Sequence, residues 1–186
     1  MTKTQQQIIE FAKNDFKDHV LTTESVSDRI SLYKCARPNN SSTYAFRVIL
    51  APQCITVYGD IGDRMILFYG RENTLAWLRG AVKSSDYLIS KMLFKKEEFD
   101  KDIAQSSWAS AKQDYKDADY EDKLSLMTDE EYEYIVSADY PIQEWYNFFC
   151  GELNSDEPPS CEDWSADVYC TVECLRKFVE LIDKEV

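Results

Sequence analysis

Apolar residues recur four apart at Ile8, Ala12, Phe16 and Val20, with Ile9 beside them, while Glu10, Lys13, Asp15 and Lys17 fall mostly elsewhere. This period predicts an amphipathic helix over residues 4–20. From residue 29 the period shortens. The runs RISLYKCA, TYAFRVIL, CITVYG and RMILFYG are rich in β-branched and aromatic residues and are separated by RPNNSS, APQ and DIGD. They predict four strands in an antiparallel meander over residues 29–70, with Tyr44, Phe46, Val48 and Leu50 on one face. Gly59, Asp60, Gly62 and Asp63 lie between two of these runs and predict a tight turn, since glycine accepts positive φ and aspartate bonds nearby backbone. A ligand-contacting role for Asp60 and Asp63 has no second feature behind it.

After Gly70 the pattern is helical. Asn73 or Thr74 can cap a segment with Leu75, Trp77, Leu78, Ala81 and Val82, and a second runs from Ser85 through Leu88, Ile89, Met92 and Leu93. A longer charged helix is predicted over about residues 95–116, carrying Phe99, Ile103 and Trp108. Thr128 with Glu131 three residues on is a capping box. Pro141 suits the first turn of another helix, with Trp145, Phe148 and Phe149 as its apolar side. NSDEPPS, residues 154–160, reads as loop. A final helix begins near Ser165 and packs through Val168, Val172, Leu175, Val179 and Ile182. The order is helix, strands, then helices. It predicts an α+β fold with an N-terminal helix, a four-stranded antiparallel sheet and an acidic helical C-terminal half. The corresponding regions are residues 1–93 and 94–186, expected to form one compact unit.

Composition adds compartment and class. The 186 residues are 44% hydrophobic and 13% aromatic, enough apolar material for a core, and only five Gly and five Pro argue against a low-complexity chain. The N-terminal stretch is too polar for a signal peptide, and no run approaches the ~20 apolar residues of a membrane span. A cytosolic setting without membrane association follows as an expectation. There Cys35, Cys54, Cys150, Cys161, Cys170 and Cys174 should be reduced. The last four lack the paired C-x2-C knuckles of zinc sites, so neither metal nor cofactor is expected.

Charge changes the picture most. Against 34 Asp and Glu stand 21 Lys and Arg, a formal net of −13, which disfavours direct nucleic-acid binding. Residues 1–93 carry +3 and residues 94–186 carry −16; within the latter, residues 114–167 hold 17 acids and only Lys116 and Lys123 as bases. Solvated helix faces are the ordinary account of such runs. The sharper account is mimicry: B-DNA carries one charge per ~1.7 Å, so fifteen carboxylates match roughly 25 Å of duplex. The candidate partner-binding residues are Asp114, Asp117, Asp119, Glu121 and Asp122, and Asp129, Glu130, Glu131 and Glu133. Tyr115, Tyr120, Tyr132, Tyr134, Tyr140, Trp145 and Tyr146 are interleaved with the acids; most are expected in the core, and the exposed remainder would supply interface anchors.

No catalytic constellation is complete. His19 is the only histidine and has no nucleophile motif beside it, so it is expected to serve a helix end. No glycine-rich phosphate loop occurs. The 34 acids supply carboxylates for two-metal or glycosidase-type hydrolysis, but no pair is singled out and no catalytic residue is assigned.

The stretch CARPNNSSTYAFRVILAPQCITVYGDIGDRMILFYG, followed by TLAWLRGA and DYL, resembles a family of small, uncharacterised proteins encoded by bacteriophages and prophages. The resemblance covers residues 33–93. It implies a viral accessory protein acting inside a bacterium. Joined to the acidic half, it points to an inhibitor of a host nucleic-acid-handling defence protein, such as a CRISPR effector or restriction enzyme, whose basic groove the acidic surface would fill. The alternatives are sequestration or degradation of a small nucleotide signal of host defence, and a non-enzymatic regulatory module. Sequestration needs a cationic or aromatic cavity, with Arg37, Arg47, Arg64, Arg71 and Arg79 as candidates.

Overall fold

The computed structural model describes residues 3–27, 29–38, 42–60, 63–70, 73–93 and 97–185, with side chains from residue 5 onward. Gly62 of the glycine turn, Arg71, and residues 95 and 96 at the start of the expected long helix lie outside the described residues. Along the chain run α1 (Lys3–Phe16), β1 (Val20–Val26), β2 (Ser31–Ala36), β3 (Phe46–Ala51), β4 (Cys54–Gly59), β5 (Arg64–Leu67), α2 (Thr74–Ala81) and α3 (Ser85–Ser90). Then follow β6 (Glu97–Phe99), α4 (Lys101–Asp117), α5 (Glu121–Leu126), α6 (Asp129–Ser137), α7 (Pro141–Tyr146) with a π-helical turn (Asn147–Glu152), β7 (Glu162–Trp164) and α8 (Ala166–Lys184). The fold is α+β. Residues 5–96 and 165–186 make one compact unit and residues 97–164 a second.

In the first unit, β1 to β5 form one antiparallel sheet in sequence order. Phe46, Val48 and Leu50 of β3, Ile55 and Val57 of β4 and Ile66 of β5 are buried, while the alternate residues of β3 and β4 are partly exposed. That period-2 burial is what the β-branched runs predict. The buried set meets α8, whose Val168, Val172, Leu175, Phe178 and Ile182 are buried in turn, and the Phe178 ring lies 5.2 Å from that of Tyr33. Burial of each such side chain contributes roughly 1.5–3 kcal/mol. Gly59 is fixed by contact and conformation: its φ is +147°, and a Cβ there would lie 2.4 Å from the Ala45 carbonyl oxygen.

Three expectations are corrected. The sheet has five strands, because Val20–Val26 pairs with β2, so α1 ends at Phe16 and Val20 leaves the helix face for an exposed strand position. Six of the seven β1 residues are exposed, so this edge strand shows no apolar alternation and is held by its backbone ladder. Tyr44 does not share the face of Phe46; with φ +57° it sits in the turn before β3, where its N–H donates to the Asp60 carboxylate at 3.0 Å. The long helix begins at Lys101, after a short strand. Asp100 accepts from the Ile103 N–H at 2.9 Å and fixes that start.

The second unit is an insertion between α3 and α8. Its ends come together: β6 pairs antiparallel with β7, Glu97 opposite Trp164. Its core gathers Ala104, Trp108, Met127, Ile135, Trp145, Phe148, Phe149, Leu153 and Cys161. Trp145 donates its indole N–H to the Pro159 carbonyl at 2.8 Å. The π-helical turn, in which the Leu153 N–H reaches the Phe148 carbonyl five residues back at 3.1 Å, brings the consecutive Phe148 and Phe149 both into this core. Because chain enters and leaves through paired strands, replacing residues 97–164 by a flexible linker of about five residues should leave a first unit that unfolds cooperatively. Loss of cooperative thermal unfolding in that deletion would contradict this.

His19 is buried between Phe16, in edge contact at 5.3 Å, and Phe46, on which it stacks at 5.9 Å. Its Nε2–H donates to the Tyr44 carbonyl at 3.0 Å, and Nδ1 has no hydrogen-bond partner among the described residues. The histidine serves the junction of α1 with β3. Burial holds its pKa below the usual 6.5, the Tyr44 carbonyl opposing that shift and the charges of Arg37 and Lys177 adding to it. The unfolded chain therefore takes up a proton near 6.5 that the folded one resists. Stability should be full above that value and decline as pH falls below it. The urea midpoint should drop from about pH 7.5 to about pH 5.5, and His19→Gln, which keeps a donor but does not titrate, should flatten that step.

Candidate acidic interaction surface

The nine acidic candidates all lie in the second unit, on α4, α5, α6 and the turns between them. Asp114 and Asp117 close α4. Asp119 follows with φ +62°, its N–H donating to the Lys116 carbonyl at 3.2 Å, while the Tyr120 N–H donates to the Tyr115 carbonyl at 2.9 Å. This is a Schellman end with an aspartate in the left-handed position that glycine usually takes. It reverses the chain, and Glu121 and Asp122 then occupy the first turn of α5.

The second cluster is organised by a cap. Thr128 Oγ1 accepts from the Glu131 N–H at 3.0 Å, placing Asp129, Glu130 and Glu131 in the first turn of α6 and Glu133 just beyond. Carboxylates there are favoured by the positive end of the helix dipole. Lys112 of α4 reaches Asp129 at 3.2 Å and ties the two clusters' helices together. Eight of the nine carboxylates are exposed; Glu131 is half-buried. Between them Lys123 lies over the rings of both Tyr115 and Tyr120, at 5.3 and 5.6 Å. The unit as a whole holds 20 Asp and Glu against four Lys, net −16, whereas the rest of the chain is net +3.

The interleaved aromatics divide as their positions demand. Trp145 is wholly core and Tyr132 and Tyr115 are half-buried, but Tyr134 is 62% exposed, Tyr140 76%, and Tyr120 and Tyr146 also reach solvent. Tyr134 follows Glu133 on α6, and Tyr140 stands at the N-cap position of α7. Sequence spacing alone did not separate these from the core set.

The other candidates for chemistry are otherwise engaged. Arg37 pairs with Asp15 at 3.2 Å, Arg47 holds Glu24 through two nitrogens at 2.8 and 3.1 Å, Arg64 pairs with Asp167, and Arg79 with Asp183 at 2.6 Å. Of the five arginines proposed for a cationic cavity, these four are committed to carboxylates within the first unit. Glu24 is correspondingly held below the usual carboxylate range, chiefly by its hydrogen bond from Arg47. All six cysteines are free, with Cys35, Cys161 and Cys174 buried. Burial pushes the Cys35 and Cys161 thiols up to about 12, far from the thiolate form that reacts or binds metal. Among the described residues, no three His, Cys, Asp or Glu side chains are placed to share a metal ion, and no helix is long and apolar enough to cross a membrane.

Comparison with protein-family models, curated proteins and solved structures finds no match to this chain.

The residue most easily missed from sequence is Asp100. Hidden beside Lys101 and Asp102 in a charged run, it is 6% exposed, caps α4 and through its backbone N–H joins the Cys161 carbonyl at 2.9 Å. Asp100→Ala should destabilise the second unit by about 1–2 kcal/mol, as loss of a side-chain cap does. A change in the first unit's exchange protection rather than the second's would contradict that assignment.

Proposed function

We propose that the second unit is a nucleic-acid mimic, carried by a phage-encoded protein, that fills the basic groove of a bacterial nucleic-acid-handling defence protein and competes with its DNA or RNA in the host cytoplasm. Support comes chiefly from charge placement: net −16 over residues 97–164, with eight of the nine nominated carboxylates exposed on short helices and turns. The exposed Tyr134, next to Glu133 on α6, and Tyr140, before α7, add amphipathic rings to the same unit. Opposed charge speeds encounter, and desolvated aromatic anchors then set residence time. The role is non-enzymatic, and the phage origin follows from the resemblance of residues 33–93.

Capture from bacterial lysate should yield a nucleic-acid-binding protein that loses its DNA or RNA on complex formation. Association should slow as salt shortens the Debye length, ~8 Å at physiological ionic strength. Charge reversal across Asp114, Asp117, Asp119, Glu121 and Asp122, or across Asp129, Glu130, Glu131 and Glu133, should slow association roughly tenfold or more. Equal numbers of reversals on α1 should do far less. If a folded protein with both acidic clusters reversed still inhibits its partner, the mimic reading fails.

A further inference from the structure

The first unit carries a cleft that the acidic surface does not use. It has a volume of about 740 Å³ and is lined by Phe68, Tyr69, Trp77, Gly80, Tyr87 and Lys91, with Ala76 beside Gly80 on α2. This lies within the range of small-molecule sites, roughly 300–1,000 Å³. Phe68 and Trp77 stack in parallel at 3.9 Å, which fixes the indole, and Tyr87 lies 6.1 Å from it. Tyr69 is 85% exposed. Lys91 stands with its ammonium 5.5 Å from the Tyr87 ring centre and, among the described residues, pairs with no carboxylate. The described residues lining the cleft include no acid.

Gly80 lines the same cleft. It belongs to α2, where glycine costs roughly 0.5–1 kcal/mol relative to alanine, yet a Cβ at this position would meet no atom of the described residues within 4 Å. Neither a positive φ nor a close neighbour accounts for it. What a side chain here would occupy is the open space beside Ala76, at the cleft's surface.

We infer that this cleft binds a small planar aromatic anion, a ring bearing a phosphate or carboxylate, with the ring against Trp77 and Tyr69 over the Ala76–Gly80 strip and the anionic group at Lys91. Aromatic side chains hold planar rings largely without regard to their substituents, and Lys91, which pairs with no carboxylate among the described residues, supplies the charge. The site is independent of the acidic surface, so a protein with both acidic clusters reversed should bind the ligand unchanged.

The test titrates the full chain with adenosine 5′-monophosphate, benzoate, adenosine and inorganic phosphate, following the Gly80 amide and Trp77 indole resonances by NMR. Adenosine monophosphate, benzoate or both should bind at least about tenfold more tightly than either the uncharged ring or the ringless anion, the factor expected of a charge-assisted contact. Lys91→Ala should remove that advantage. Gly80→Leu should abolish binding without lowering the unfolding midpoint, and Tyr69→Ala, at a residue too exposed to support the fold, should weaken it. Response to nucleotide alone or to benzoate alone supports the site and narrows its ligand. Binding of none of the probes, equal binding of phosphate and adenosine monophosphate, or binding unaffected by both Gly80→Leu and Tyr69→Ala would overturn the inference.

Discussion

The apolar stripe of α8 is the element on which the first unit depends. The meander of five strands can complete its backbone ladders from local sequence, but Val48, Ile55, Val57 and Ile66 need a cover, and α8 supplies much of it from the far end of the chain. Polar bonds fix how that cover sits. Arg176 donates to the Val82 carbonyl at 3.0 Å, to Ser85 at 2.9 Å and to Glu173, a carboxylate only 3% exposed. A buried acid without a cation would be costly, so this pair and its two further acceptors hold α8 in one register over α2 and α3. Asp167 with Arg64 and Asp183 with Arg79 repeat the device near either end of the helix.

This arrangement explains why the chain divides as it does. Residues 97–164 lie between two parts of one core, and the β6–β7 pairing returns the chain to where it left. An insertion joined through adjacent strands interrupts its host little. It also lets the two units follow different rules of composition. The first keeps its charges near balance and commits arginines to ion pairs; the second is built on an aromatic core of Trp108, Trp145, Phe148 and Phe149 and leaves most of its carboxylates in water.

Local chemistry was legible in the residues. The Thr128 cap, the Asn73 cap, the proline opening α7 and the paired periods of β3 and β4 all follow from interactions within a few residues, and each stands where the sequence places it. The segregation of charge is likewise a property of the chain order. The edge strand β1 escaped because an element exposed on both faces carries no hydrophobic period, and Val20 continued the spacing of α1 by coincidence.

Tertiary structure alone decided the matters that depend on distant partners. The partition of tyrosines into core and surface depends on which face of a short helix meets Trp108, and the commitment of Arg64 and Arg79 depends on acids about a hundred residues away. The cleft beside Gly80 is set by the stacking of Phe68, which follows β5, on Trp77 of α2, with Tyr87 and Lys91 brought in by α3. Sequence determined most of the elements, their caps and the sign of each region, because these arise from nearest neighbours and from counting; β1 and β6, which carry no hydrophobic period, did not show in it. Which side chains face water and which groups share a cavity arise only when separate elements pack.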